Sequence, residues 1–158
     1  MDIRTLTVAD APAMWAINEE GLPGVGQITP SSMADIVSLA SLPIGAYQDE
    51  TLMGFVLCLP PGTSYASLNY AWFNERYDTF VYVDRIAVGQ SYRDKSVGTY
   101  LYQRVIEESL KQQCPVAAEI NIEPPNPGSM RFHKRHGFTQ VGTLSHGDKS
   151  VSMVMRPV

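Results

Sequence analysis

The chain has 158 residues, enough for one domain with a substantial core, and 44% of them are hydrophobic while 18% are charged. A net charge of −4 argues against non-specific binding to nucleic acid, and no apolar run approaches the length of a membrane span. The two cysteines, Cys58 and Cys114, are too few for a disulfide framework and have no metal ligands at the usual spacing. We therefore expect a protein of the reducing cytoplasm, without a signal peptide or a metal site.

The first third of the chain predicts a strand, two helices and a hairpin. Residues 3–8 alternate apolar and polar side chains, which is typical of a strand. A helix follows and ends near Gly21, and Thr29 is in position to cap a second helix. Residues 44–48 and 52–59 then predict two strands joined by a tight turn.

The stretch from Pro60 to Thr79 predicts a long irregular segment. Loops of this length inside a compact domain are usually functional or disordered, and the aromatic content argues against disorder. Two interpretations stay open: the segment packs onto the sheet, or it forms a wall of a substrate pocket. For the second interpretation the candidate substrate contacts are Tyr70, Trp72, Phe73 and, on the next strand, Tyr82.

The second half of the chain alternates strands and helices. The predicted elements are a strand over 80–88, a helix over 97–113, a strand over 116–122, a short helix from Asn126 to Gly137, and a hairpin of 138–144 with 151–155. We see no internal repeat and no interdomain linker. The order predicts one mixed α/β domain over residues 1–158, with about seven strands and four helices.

The turn between the strand over 80–88 and the helix over 97–113 has the character of a phosphate site. A strand that turns into a helix directs several backbone N–H groups to one point, where the helix dipole adds positive potential. Arg93 and Lys95 bring positive charge to the same place. The turn matches neither the Walker loop nor Gly-x-Gly-x-x-Gly, so a surface turn with two solvated basic residues explains it equally well.

Three motifs stand in a fixed order along this half of the chain. They are the strand Asp84-Arg85-Ile86-Ala87-Val88, the turn Arg93-Asp94-Lys95-Ser96-Val97-Gly98, and a segment with Asn126, Ser129, Phe132, His133 and Gly137-Phe138. The turn resembles the Arg/Gln-x-x-Gly-x-Gly/Ala phosphate loop of the GNAT acetyltransferase superfamily. The last segment resembles that family's Asn-x-x-Ala/Ser-x-x-Phe-Tyr…Gly-Phe pattern, and the resemblance extends over nearly the whole chain.

The resemblance implies a mixed α/β sheet that splays between its fourth and fifth strands, with acetyl-coenzyme A as the cofactor in the slot. The pantetheine arm would pair with the backbone of the fourth strand, and one N–H of Ile86 or Val88 would stabilise the oxyanion. The turn would hold the pyrophosphate. The cofactor contacts implied in this way are Ile86, Ala87, Val88, Arg93, Asp94, Lys95, Ser96, Val97, Gly98, Thr99, Asn126, Ser129 and Phe132.

Two positions depart from the family pattern. Ser96 stands where the first loop glycine is usual, and its side chain restricts the turn. His133 stands at the position of the usual tyrosine, which often protonates the departing thiolate. His133 is therefore the candidate acid, with Tyr100, Tyr102 or a water as alternatives.

Two carboxylates are candidate general bases. An alkyl amine has a pKa of about 10.4, so its proton must be taken by a base or a water relay. Asp84 on the fourth strand and Glu119 on the fifth are the candidates. The structural alternatives to a catalytic role are a salt bridge for Asp84 and an exposed strand position for Glu119. His136 and His146 are interpreted as surface residues.

The leading interpretation is an N-acetyltransferase that moves an acetyl group directly from acetyl-coenzyme A to the primary amine of a small-molecule or amino-acid-like acceptor. The alternatives are a catalytically weak acyl-coenzyme A binding or sensing module, suggested by His133, and an acetyltransferase for protein N-termini or lysines. A protein-modifying enzyme needs an open groove, whereas an enzyme for small molecules should close residues 60–79 over its pocket. The resemblance also allows a homodimer.

Overall fold

The computed structural model describes residues 1–158 as a mixed sheet covered by helices. The strands are β1 (Asp2–Thr5), β2 (Leu42–Gln48), β3 (Thr51–Leu59), β4 (Val81–Val88), β5 (Val116–Glu123), β6 (Thr139–His146) and β7 (Lys149–Arg156). The helices are α1 (Ala11–Glu20), α2 (Pro30–Leu39), α3 (Leu68–Arg76), α4 (Val97–Gln112) and α5 (Pro127–Arg135). The seven strands lie in the order β1-β2-β3-β4-β5-β7-β6, and the β4–β5 pair alone is parallel. The predicted mixed α/β class is confirmed.

Side-chain caps determine where the helices begin. Thr29 Oγ1 accepts from the Ser32 N–H at 3.1 Å and starts α2, as the sequence predicts. The first strand is shorter than predicted because the Thr7 N–H donates to Asp10 Oδ2 at 2.8 Å, which turns the chain into a short 3-10 helix before α1. None of the helices has the length and apolar character needed to cross a membrane.

The segment from Pro60 to Thr79 contains an α-helix, so its prediction as an irregular segment is wrong. Ser67 Oγ accepts from the Tyr70 N–H at 3.2 Å and caps α3, which raises the number of α-helices from the predicted four to five. Tyr70 and Phe73 are three positions apart on one face of this helix, and both are buried against the sheet. The helical part of this segment therefore packs onto the sheet, as the first of the two interpretations predicts.

The core lies on both faces of the sheet. On one face Val97, Leu101 and Val105 of α4 pack with Val56 and Val83. On the other face, α1 and α2 cover the β1–β3 side, and α3 covers the β4, β5 and β7 side. Burying each such side chain contributes about 1.5–3 kcal/mol, so the sheet between the two layers is a rigid support.

The sheet splays between β4 and β5, as expected from the resemblance. These strands pair only at Val81↔Val116 and Tyr82↔Ala117, whereas the pairing of β4 with β3 continues to Val88. Beyond Tyr82 the two strands diverge and leave a gap in the middle of the sheet. Backbone groups of β4 that face this gap have no strand partner.

A β-bulge at Asp84 changes which side chains of β4 share a face. Val83 pairs with Cys58 and Arg85 with Leu57, so Asp84 is an extra residue opposite an uninterrupted β3. An extra residue reverses the alternation of the strand from that point onward. The bulge therefore places Asp84 and Arg85 on the same face, below α1 and α3.

Candidate active site

The gap between β4 and β5 forms a cleft of about 690 Å³. Its walls are the loop between α1 and α2, the start of α3, the turn before α4, helix α5, and the tip of the β6–β7 hairpin. The cleft therefore extends through the sheet, with the turn before α4 at one mouth and the hairpin tip at the other.

The turn before α4 has the geometry of an anion site. Ser96 lies in the left-handed region at φ 65°, immediately before the first residue of α4. The N–H groups of Val97, Gly98 and Thr99 are in the first turn of α4, where no intrahelical acceptor exists. These groups converge at the positive end of the helix dipole and fit a pyrophosphate.

The predicted cofactor residues divide into three groups. The residues whose side chains or backbone line the cleft are Ile86, Ala87, Val88, Arg93, Asp94, Gly98, Asn126, Ser129 and Phe132. Val97 is buried in the core, so only its N–H is available. Lys95, Ser96 and Thr99 lie outside the cleft wall and contribute through the backbone of the turn or from its exposed rim.

Arg93 ties this turn to α1 on the far side of β4. Its guanidinium donates to the carbonyl oxygens of Glu20 at 3.0 Å and Val88 at 3.3 Å. The Gln90 N–H donates to Glu20 Oε1 at 3.0 Å. These contacts hold the turn in place, which is a role beyond the charge that the sequence suggested for Arg93.

Helix α5 closes the cofactor half of the cleft. Asn126 caps this helix by accepting from the Ser129 N–H at 3.2 Å. A Cβ at Gly98 would lie 3.5 Å from the Phe132 ring, so α4 and α5 are in van der Waals contact at the cleft wall. Predicted helix capping by Asn126 is confirmed.

The backbone of β4 presents hydrogen-bonding groups to the gap. The Val81 N–H donates to the Pro115 carbonyl at 2.9 Å, toward β5, and the Gly89 N–H donates to Met53 in β3 at 2.7 Å. Because the bulge at Asp84 reverses the alternation, Ile86 and Val88 take the orientation that Val81 has before the bulge. Their N–H groups face the cleft, where a pantetheine arm or an oxyanion can accept from them.

His133 is buried beside the cleft and both its ring nitrogens are engaged. Nδ1 lies 2.8 Å from the Ser129 carbonyl oxygen, which only accepts, so Nδ1 carries the proton. Nε2 then accepts from the Tyr102 hydroxyl at 2.6 Å. Burial lowers the pKa of His133, which favours this neutral form. The geometry leaves His133 without a proton to offer a leaving thiolate.

Glu119 lies on β5 and faces the α3 side of the cleft. The Tyr82 hydroxyl donates to Glu119 Oε2 at 2.8 Å, and the nearby Asn69 side chain also lowers the pKa of this carboxyl group. Burial and the negative charge of Asp84 outweigh both effects and raise the pKa of Glu119 to about 8. Glu119 is therefore a carboxylate with the proton affinity of a general base near neutral pH.

Asp84 is held in a buried ion pair. Arg85 Nε donates to Asp84 Oδ2 at 2.8 Å, and both side chains are at least nine-tenths buried. The same guanidinium donates to Asn18 Oδ1 and to the Gly26 carbonyl, each at 3.1 Å. The pair joins β4 to the loop between α1 and α2, so the structural alternative for Asp84, a salt bridge, is the one observed.

The candidate substrate residues lie mainly in the core. Tyr70 and Phe73 are buried between α3 and the sheet, and the Tyr70 hydroxyl donates to the Pro60 carbonyl oxygen. Trp72 stacks with Arg76, its guanidinium 4.1 Å from the ring centroid, and closes against Gly142 of β6. Tyr82 does not line the cleft, but its hydroxyl donates to Glu119, which does. The structure brings none of the four side chains into the cleft wall.

Several polar residues of the cleft are not among the predicted site residues. Asn69, His146 and Lys149 line the α3 side of the cleft, although the sequence interpretation places His146 at the surface, and Tyr65 of the aromatic segment lies beside them. His146 and Lys149 are directly opposite each other at the tip of the β6–β7 hairpin. The signal for Asn69 was available: Ser67 in front of it is an N-cap residue, and a helix starting there faces the sheet.

The loop between α1 and α2 crosses the gap. Asn121 of β5 donates from Nδ2 to the Pro23 carbonyl at 3.3 Å, while Arg85 of β4 donates to Gly26 at 3.1 Å. The loop therefore contacts both strands that border the cleft. Among His, Cys, Asp and Glu residues, no cluster of three or more could hold a metal ion.

Comparisons with known proteins agree with this geometry. The model of the family described as "Acetyltransferase (GNAT) family" matches residues 12–138. No curated protein matches the chain.

Solved structures share the fold at low sequence identity. The ribosomal-protein-S18-alanine N-acetyltransferase from Escherichia coli is 16% identical with a TM-score of 0.75, over 99% of this chain and 92% of that chain. NAA60 of Arabidopsis thaliana in complex with acetyl-CoA is 18% identical with a TM-score of 0.77, over 99% of each chain. The putative acetyltransferase yncA from Salmonella typhimurium, with its cofactor acetyl-CoA, is 16% identical with a TM-score of 0.71, over 98% of this chain and 92% of that chain.

The family model covers most of the chain, and the phosphate turn, the splayed strands and the α5 cap of the family pattern are all present. The chain therefore belongs to the GNAT family of acetyltransferases and uses acetyl-coenzyme A.

Proposed function

We propose that this protein is an N-acetyltransferase that acetylates the primary amine of a small-molecule or amino-acid-like acceptor, with Glu119 as the general base. The observation that carries the proposal is the position of Glu119: a carboxylate with a pKa of about 8 at the cleft, on the strand opposite the free N–H groups of Ile86 and Val88. A sensing module has no need of a carboxylate tuned in this way.

The residues of the cleft supply the parts of a direct transfer. Bound acetyl-coenzyme A supplies the thioester whose acyl carbon the amine attacks. Glu119 takes the amine proton as the new C–N bond forms and the C–S bond breaks, so the sulfur leaves with the electron pair. The Ile86 and Val88 N–H groups stabilise the negative charge that develops on the acyl oxygen.

The departing sulfur needs little help from the protein. A thiol has a pKa of about 8.5, so its thiolate is a weak base near neutral pH and can leave without a strong acid. His133 fixes the orientation of Tyr102 through the 2.6 Å hydrogen bond, and both side chains shape the wall of the cleft. We propose that His133 is a positioning residue, in place of the acid that its position in the family pattern implies.

A protein N-terminus is the second candidate acceptor. Residues 60–79 form one wall of the cleft, and a second groove, of about 640 Å³, meets the cleft beside that wall at Tyr65 and Arg85. A chain leaving the reacting amine would have room in that groove. The structural relative named as a ribosomal-protein-S18-alanine N-acetyltransferase agrees with this alternative, although its identity of 16% supports only the shared fold.

Release of free thiol from acetyl-coenzyme A tests the proposal. Thiol should appear only when an amine acceptor is present, and Glu119→Gln should lower kcat/KM by about 10²–10⁴-fold. Glu123→Gln, an exposed change on the same strand, is the matched control and should leave activity unchanged. Binding of coenzyme A without turnover of any amine would instead identify a binding module.

A further inference from the structure

Two polar atoms inside the cleft have no hydrogen-bond partner. They are Asn69 Oδ1 at the start of α3 and His146 Nε2 at the end of β6, and both atoms are shielded from solvent. A buried polar atom without a partner costs free energy, so native proteins rarely keep one unless a ligand or water completes it. Both residues line the same cleft as Glu119.

The sheet register shows that these two groups lie on the same side as Glu119. His146 is directly opposite Lys149, and residues in such a pair project from the same face. Val151 follows Lys149 by two positions and packs with Tyr82 under α3, so this face is the one that α3 covers. Asn69 lies on α3 itself, and its side chain lowers the pKa of Glu119.

The donors and acceptors of the site specify its ligand. Asn69 Oδ1 is a buried amide oxygen that lacks a donor, and the N–H groups of an amine or ammonium supply one. His146 Nε2 completes the set by donating, in its Nε2–H tautomer, to an oxygen beyond the amine. We infer that Asn69 and His146 recognise an acceptor of the form amine–CHR–carbonyl, in which Asn69 Oδ1 accepts from the amine and His146 Nε2 donates to the carbonyl oxygen.

This inference rests on the proposed amine acetylation and names its substrate class. The shared group occurs in free α-amino acids and at the N-terminus of a peptide. Lys149 is exposed beside His146 and has no acidic partner within 4.0 Å, so it is free to pair with a carboxylate. A free amino acid would use Lys149, whereas a peptide N-terminus would not.

Three acceptor mixtures test the inference with the wild-type protein and acetyl-coenzyme A. The mixtures contain the common L-amino acids, the corresponding amino acid amides, and the corresponding decarboxylated amines, and mass spectrometry identifies acetylated products. Products should come from the first two mixtures at rates at least about tenfold above those from the third, as expected for loss of one hydrogen bond in the site. Lys149→Met should slow the free acids and leave the amides unaffected if the acid is the acceptor; equal effects on both, or none, assign the peptide-like form.

Variants at His146 provide the second arm. His146→Ala should raise KM for the best acceptor about tenfold and leave KM for acetyl-coenzyme A unchanged, while His146→Gln, which keeps a donor, should recover most of the loss. Ser145→Ala changes the neighbouring, exposed side chain of the same hairpin and is the control. Equal acetylation of the decarboxylated amines, or an unchanged KM in His146→Ala, overturns the inference.

A binding measurement separates the two proposals. If no mixture is acetylated, the proposed function fails, and the site is then judged by the melting temperature of the coenzyme A-bound protein. The amino acid amides should raise this temperature in wild type and not in His146→Ala. Equal shifts from the amides and the decarboxylated amines, or equal shifts in both proteins, overturn the site.

Discussion

Tyr102 and His133 form a 2.6 Å hydrogen bond across the contact between α4 and α5, at the wall of the cleft. The bond uses the only hydroxyl proton of Tyr102 and the only free lone pair of neutral His133. Neither group therefore offers a proton to the sulfur in this arrangement. The pair joins the two helices that border the cofactor half of the cleft.

Tyr102→Phe tests this role. The change leaves His133 Nε2 buried without a partner, so we expect a loss of about 1–3 kcal/mol in the free energy of unfolding. We expect kcat to stay within about threefold of wild type, because no proton transfer is removed. Denaturant unfolding and steady-state kinetics on the same preparation measure both. A fall in kcat of about 10²–10⁴-fold would show instead that Tyr102 is the acid.

Ser96→Gly should stabilise the phosphate turn. Ser96 has a φ of 65°, where a residue with a Cβ is destabilised by roughly 1–2 kcal/mol. Glycine removes this strain, but its larger conformational entropy in the unfolded chain offsets part of the gain. The expected net gain is about 0.5–1 kcal/mol, with coenzyme A affinity equal to or better than that of wild type. Gln113→Gly, at φ 55° beyond the other end of α4, is the matched control for the backbone effect. A loss of coenzyme A affinity in Ser96→Gly alone would mean that the serine hydroxyl itself binds the phosphate.

Arg85→Met should destabilise the protein through Asp84. The substitution leaves the Asp84 carboxylate, of which 4% is exposed, without its 2.8 Å partner. Removing one member of a buried pair typically costs about 3–5 kcal/mol, most of it from the charge left behind. Adding Asp84→Asn in the same chain should therefore recover part of the loss. If the two single changes add without recovery, the pair is not coupled as the structure indicates.

Trp72→Ala should change stability and leave the chemistry intact. The Trp72 ring fills the space above Gly142, where a Cβ would lie 2.5 Å from the ring, and it does not line the cleft. We expect a lower melting temperature and an unchanged KM for the acceptor. An increase in that KM at constant stability would restore the substrate role considered from the sequence.

Much of the fold follows from local signals in the sequence. The caps at Thr29 and Asn126, and the strand, turn and helix from Val81 to Gln112, depend on neighbouring residues and are readable as such. The helix α3 was missed because its apolar residues are aromatic and few, although its cap Ser67 was present.

The acceptor side of the cleft is harder to predict from the sequence because it depends on contacts between residues that are distant along the chain. The bulge that puts Asp84 and Arg85 on one face is a property of the β3–β4 register, which no single segment contains. His146 reads as a turn residue in the sequence, and it enters the cleft only because β7 lies between β5 and β6. Glu119 was a candidate on its strand position alone, whereas its raised pKa depends on Asp84 and on burial.

The pH dependence of the Glu119→Gln effect tests the central claim most directly. A base must be deprotonated to act, so the activity that depends on Glu119 is lost below its pKa of about 8 and is present above it. The measurement is kcat/KM against pH for wild type and Glu119→Gln with the same acceptor, because the acceptor's own titration then cancels in the ratio. We predict a ratio of wild type to variant that rises through pH 8 toward a plateau of about 10²–10⁴. A ratio that stays near one, or that does not change with pH, would contradict the assignment of Glu119 as the base.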